Sequence, residues 1–216
     1  MEQSIHIPVN SVALEGDLNL LPDGKAVVLF AHGSGSSRLS PRNRFVAEVL
    51  RDAGIGTLLF DLLTKEEDRT YDNRFDISLL AHRLKAATLW LLERPATGEL
   101  RAGYFGASTG AAAALVAAAE LGPEIGAVVS RGGRPDLAGS SLGQVQAPTL
   151  FIVGERDEAV IEMNRQALAL INAQKELKII PRATHLFEEP GTLEEAARLA
   201  AAWFRKHLVE TVFGRG

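Results

Sequence analysis

Six short apolar runs, separated by stretches of helical periodicity, constrain this chain more than any other feature. The runs are residues 25–31 (KAVVLFA), 56–61 (GTLLFD), 100–105 (LRAGYF), 125–130 (IGAVVS), 149–153 (TLFIV) and 176–181 (ELKIIP). Each is continuous rather than alternating in polarity, the pattern of a strand covered on both faces in a parallel sheet. Between them, residues 43–53 place Phe45, Val46, Val49, Leu50 and Ala53 on one helical stripe. Residues 77–92 repeat it with Leu80, Leu84, Ala87 and Leu91, residues 108–121 are nearly all small or apolar, and 158–171 and 193–208 complete the set. Strand–helix alternation with short connections predicts an α/β fold, a mostly parallel central sheet with helices on both faces. Residues 4–20 read as two strands joined around residues 8–10, a hairpin at a sheet edge.

At 216 residues the chain suits one domain, 1–216, with one sizeable core. Net charge is −4 with both signs interspersed, so neither a basic surface for nucleic acid nor a single-sign tail stands out. No cysteine is present, which excludes disulfides, thiolate metal ligands and a thiol nucleophile. Residues 1–4 lack the basic start and apolar run of a secretory signal. The apolar runs are of strand length, short of the ~20 residues a membrane helix needs. The expectation is a cytoplasmic protein with no membrane or nucleic-acid partner; monomer and homodimer stay equally open.

In an open parallel sheet, ligands bind beyond the carboxyl ends of the strands. A chemically suggestive residue is therefore tested by whether it follows a strand. Ser108 does, in Gly106-Ala107-Ser108-Thr109-Gly110, between the run ending at Phe105 and an apolar helix. A G-x-S-x-G pentapeptide in that setting is a nucleophile elbow: the turn exposes the hydroxyl, and the flanking glycines relieve the crossing of strand and helix. The N–H of Thr109 is left at a helix N-terminus, where unpaired donors and the helix dipole favour an oxyanion. The competing reading, a glycine-rich turn with a serine N-cap, fits an isolated pentapeptide.

In this arrangement the acid and then the histidine follow the serine in the chain. After residues 149–153 comes Gly154-Glu155-Arg156-Asp157-Glu158. Asp157, at the loop tip, is the best acid; its alternative role is to cap the next helix, and Glu155 and Glu158 compete with it. His185 lies in the loop after the last strand, where the general base belongs. A serine hydroxyl is a poor nucleophile near neutral pH. The imidazole takes its proton, and the carboxylate fixes the tautomer and stabilises the imidazolium. His6 and His82 have no partner pattern, and His207 reads as a surface residue of the final helix.

The loop after residues 25–31 reads His32-Gly33-Ser34-Gly35-Ser36-Ser37. Its small residues let backbone amides approach a substrate, and Ser34 is the expected second oxyanion donor; one such donor is worth about 10²–10³ in rate. His32 braces that loop, and Asp61 orders it. No His-Glu-x-x-His, paired cysteine or Gly-Lys-Ser/Thr after a glycine loop occurs, so neither a metal nor a cofactor is called for.

Taken together, these residues resemble the dienelactone-hydrolase-like branch of the α/β-hydrolase superfamily over nearly the whole chain. The resemblance rests on Ala31-His32-Gly33-Ser34-Gly35-Ser36-Ser37, Gly103-Tyr104-Phe105-Gly106-Ala107-Ser108-Thr109-Gly110 and Ala183-Thr184-His185-Leu186-Phe187-Glu188. It is strongest to small members found alone or fused to phosphoribosyltransferase domains. It implies the α/β-hydrolase fold and a Ser108–His185–Asp157 triad. True dienelactone hydrolases use a cysteine where this chain has Ser108, so the expected activity is general carboxylester hydrolysis.

The interval between Ser130 and Thr149 is too short for a large lid, which suits small, soluble esters. Arg131 and Arg134 follow a strand and are candidates for holding an anionic substrate group, with a salt bridge or loop anchor as the alternative. Tyr71, Arg74 and Phe75 fall in a loop expected over the site. Acyl transfer, thioester or C–C hydrolysis, and a non-catalytic binding role on the same fold are the rival readings.

Overall fold

A computed structural model describes residues 2–94, 97 and 99–210. Its eight strands are β1 (Glu2–Val9), β2 (Val12–Asn19), β3 (Ala26–Ala31), β4 (Gly56–Phe60), β5 (Arg101–Ala107), β6 (Ile125–Arg131), β7 (Thr149–Gly154) and β8 (Lys175–Ile180). They form one sheet in the order β1-β2-β4-β3-β5-β6-β7-β8. β1, β2 and β4 pair antiparallel, and every pairing from β4 through β3 to β8 is parallel. This is the α/β-hydrolase arrangement.

The helices are α1 (Pro41–Asp52), α2 (Ile77–Leu92), α3 (Thr109–Leu121), α4 (Glu158–Leu170) and α5 (Thr192–Phe204). Side chains of a strand alternate between its faces, and β3 shows the consequence. Val27, Leu29 and Ala31 pack with Leu80, Leu84 and Ala113 on the face covered by α2 and α3. Ala26, Val28 and Phe30 pack with Val46, Leu50 and Ala200 on the face covered by α1 and α5. All six residues of β3 are buried, which is why its run carries no polar residue.

Two details depart from the sequence reading. The hairpin turns at residues 10–11 rather than 8–10, because Val9 pairs with Val12 and Asn10 takes the left-handed conformation (φ 53°). The final helix ends at Phe204 and continues over Arg205–Val209 as a π turn, which turns His207 inward to 8% exposure. Residues 132–148, between β6 and β7, hold 3-10 turns over Pro135–Gln144 and no inserted lid. Among the described residues, no helix is long and apolar enough to cross a membrane.

Candidate active site

β5 ends at Ala107 and α3 starts at Thr109, so the chain reverses at a single residue, Ser108. Its backbone stands at φ 51°, ψ −123°, a conformation that costs a non-glycine residue about 1–3 kcal/mol. The surrounding chain fixes it. The Ser108 N–H donates to the Arg131 carbonyl at 3.3 Å, and the Ser108 carbonyl accepts from Ala111 and Arg134, both at 3.1 Å. A Cβ on Gly106 would lie 2.4 Å from Ala111 Cα, and one on Gly110 would lie 2.1 Å from the Ala31 carbonyl oxygen. The pentapeptide needs both glycines for the tight crossing of α3 over β3 and β5.

Ser108 opens into a cavity of about 280 Å³ shared with Ser34, Arg42, Asn43, Arg131 and His185. Two larger depressions, of about 310 and 470 Å³ around Arg44 and Thr64, are lined by neither serine nor histidine. His185 lies in the loop after β8, with Nδ1 2.6 Å from Asp157 Oδ2. That bond places the ring proton on Nδ1 and leaves Nε2 as the acceptor. Asp157 occupies the N-cap position of α4, yet its side chain makes no cap bond. Its carboxylate serves the histidine. Glu155 Oε2 accepts the Arg182 N–H at 2.7 Å, Glu158 is in the first turn of α4, and among the described residues Asp157 is the carboxylate paired with the ring. Among the described residues, no hydrogen bond joins Ser108 Oγ to His185, as is common in unliganded sites.

The expected oxyanion donors are placed differently from each other. Thr109 is the first residue of α3, so its amide is one of the donors without an intrahelical partner. The Ser34 amide instead donates to Thr109 Oγ1 at 2.9 Å. The sequence offers no sign of this contact, because the two residues are 75 positions apart. The loop itself is held as expected. His32 Nε2 accepts the Leu62 N–H at 3.0 Å, and Nδ1 contacts the Gly33 carbonyl at 3.0 Å. Burial holds the His32 pKa below its ordinary value, against the opposing pull of the Gly33 carbonyl, Asp61 and Asp68. Asp61 Oδ1 accepts the Arg38 N–H at 2.7 Å, fixing the far end of the loop.

The arginines separate. Arg134 forms a two-toothed pair with Asp136, at 2.9 and 2.7 Å on the exposed side of the turn, and does not line the cavity. Arg131 does line it and is 8% exposed. Its guanidinium lies 5.9 Å from the Phe105 ring and 5.8 Å from the Phe187 ring. Burial, with Arg42 repelling in the same direction, pushes its pKa down to about 10. Tyr71 and Phe75 stack on each other at 5.0 Å and are well exposed, and Arg74 is tied to Asp68; none of the three lines the Ser108 cavity. Sequence reasoning missed Ser40, Arg42 and Asn43, which line the cavity and carry no catalytic signature.

Known proteins bear on this constellation. The description "Dienelactone hydrolase family" matches residues 22–210. The crystal structure of a dienelactone hydrolase from Anabaena variabilis is 57% identical, covers 96% of this chain and 98% of its own, and superposes with a TM-score of 0.94. An esterase domain from a Rhodothermus marinus protein, 20% identical over 96% of this chain and 99% of its own, superposes with a TM-score of 0.76 and shares the fold. A Mycobacterium tuberculosis protein that carries the name phosphoribosyl transferase is 58% identical over 207 residues, or 96% of this chain and 47% of that protein. The chain thus spans about half the length of the curated relatives it matches. With a family match across most of its length and a 57% identical relative covered almost end to end, this chain belongs to the dienelactone hydrolase family.

Proposed function

We propose that the chain hydrolyses small carboxylic esters through an acyl-serine intermediate, with Ser108 as nucleophile, His185 as general base and Asp157 as its orienting carboxylate. The observation that carries this reading is the 2.6 Å Asp157–His185 contact, in the same cavity as a serine at a strained elbow. Ser108 Oγ attacks the ester carbonyl carbon as its proton passes to His185 Nε2, and the imidazolium is stabilised by Asp157. The Thr109 amide holds the oxyanion. The Ser34 amide joins it once Thr109 Oγ1 turns away. Collapse breaks the bond to the leaving oxygen, which takes the proton from His185. Water then attacks the acyl-serine by the same proton path, releasing the carboxylic acid and restoring Ser108.

The lidless interval between β6 and β7 supports small, soluble substrates. The phosphoribosyl transferase name belongs to relatives about twice as long, of which this chain matches 47%.

Turnover of p-nitrophenyl acetate and labelling by a fluorophosphonate test the reading. Ser108→Ala is expected to abolish labelling and lower kcat by about 10⁶. Asp157→Asn, which disturbs the tautomer without emptying the site, is expected to lower kcat by about 10⁴. Labelling that survives Ser108→Ala would sink the assignment. Product analysis with a competing alcohol separates hydrolysis from acyl transfer.

A further inference from the structure

One wall of the Ser108 cavity carries a charge that ester hydrolysis does not require. Arg131 is buried; among the described residues its Nη1 has no hydrogen-bond partner and its Nη2 reaches only Asn43 Oδ1, at 3.5 Å. Among the described residues no carboxylate pairs with it. The flanking Phe105 and Phe187 rings hold the guanidinium without neutralising it. A buried cation with no paired carboxylate is unfavourable.

Other donors converge on the same wall. Arg42 also lines the cavity, and its ion pair with Glu188 is an exposed contact at 3.4 Å. Arg42 and Asn43 belong to the first turn of α1, a 12-residue helix capped by Ser40, and Ser40 lines the cavity with them. The positive end of that helix adds to the two guanidiniums. Ser36 supplies a further hydroxyl. The set is richer in donors than two carboxylate oxygens can use, and it suits the three free oxygens of a phosphate monoester.

We propose that this wall is a phosphate subsite, so that the ester cleaved at Ser108 carries a phosphoryl group held by Arg131 and Arg42. The substrate class rests on the hydrolase reading above; the binding of phosphate does not. Arg131 reaches the site from the strand beside the elbow, since Ala107 and Arg131 are paired in the β5–β6 register. The phosphoryl group is therefore seated next to the scissile bond.

Isothermal titration and thermal-shift measurements with methyl phosphate and with acetate test this, on the wild type and on Ser108→Ala. Both proteins are expected to bind methyl phosphate, about tenfold or more tighter than acetate. Arg131→Met is expected to weaken that binding by about tenfold or more, the loss of a charge-assisted pair. It should also raise the Tm of the unliganded protein, because an unpaired buried charge is gone. Arg131→Lys keeps the charge without the planar fork and should fall between. Arg42→Ala, at a half-exposed position, weakens binding severalfold and carries the test if Arg131→Met does not fold. Absence of methyl phosphate binding in the wild type, or binding unchanged in both the Arg42 and Arg131 variants, overturns the subsite. Acetate bound as tightly as methyl phosphate overturns the choice of phosphate and assigns the wall to carboxylate esters. Because Ser108→Ala keeps every subsite residue, a failed esterase reading and a failed subsite give different results.

Discussion

Ser108 is held where a serine does not rest by choice. Its φ of 51° is kept by the strand on one side, the helix on the other and the three backbone hydrogen bonds of its own amide and carbonyl. That strain belongs to the residue's backbone and not to its hydroxyl. Ser108→Ala should therefore keep the strain and lose the chemistry, whereas Ser108→Gly should lose both. The glycine variant is expected to be more stable than the alanine variant by about 1 kcal/mol, after allowing for glycine's greater freedom when unfolded. Urea midpoints of the two variants check this, and equal midpoints would show an unstrained elbow. At the same scale, Asp157 shows how one side chain chooses between two roles. It sits where a helix cap belongs, and the nearby imidazole takes its carboxylate instead.

At the scale of elements, the site depends on how closely α3 approaches β3. α3 is rich in alanine, which lets it lie close to the sheet, and nine of its thirteen residues are buried. Gly110 is the point of closest approach, with a hypothetical Cβ 2.1 Å from Ala31 O and 2.5 Å from His32 O. These are backbone atoms of β3 and of the start of the oxyanion loop, which cannot rotate away as a side chain would. Gly110→Ala is expected to destabilise the protein by about 4 kcal/mol, at the upper end for a single substitution. It should also move the Ser34 loop relative to Ser108. Thermal unfolding reads the first effect. An alanine variant with wild-type Tm would mean that the helix and strand have more room than this packing shows.

Across the whole molecule, buried His32 links the fold to pH. Burial keeps its folded pKa below the ordinary 6.5, so above that pH the ring is neutral in both states and contributes no slope. As the pH falls below about 6.5, the unfolded chain takes up a proton that the folded protein refuses, and stability declines. The decline approaches about 1.4 kcal/mol per pH unit for one proton and levels off once the folded pKa is passed. His207, also shifted downward by burial and by Lys206, adds to the slope with the same sign. Urea midpoints measured from pH 7.5 to 5.5 should fall, and His32→Gln, which keeps an acceptor for the Leu62 amide, should make the fall shallower. Parallel slopes for the two proteins would remove His32 from the account.

The sheet, the five helices and the relation of Ser108, Asp157 and His185 to strand ends were legible in the sequence because they rest on local signals. Short apolar runs such as 25–31 suit strands buried on both faces, and a G-x-S-x-G between strand and helix has few conformations open to it. Arg131 and Arg134 looked alike at that level, two arginines in one post-strand turn. Only the packed structure separated them, giving Arg134 an aspartate two residues away and leaving Arg131 buried with no counter-charge among the described residues. The engagement of the Ser34 amide by Thr109 and the arrival of Arg42 and Asn43 at the cavity were likewise settled in three dimensions. The reason is physical. Hydrophobic period and backbone sterics act over a few residues and leave their mark on the chain in order. The charge balance and donor occupancy of a cavity are sums over groups that meet only after folding.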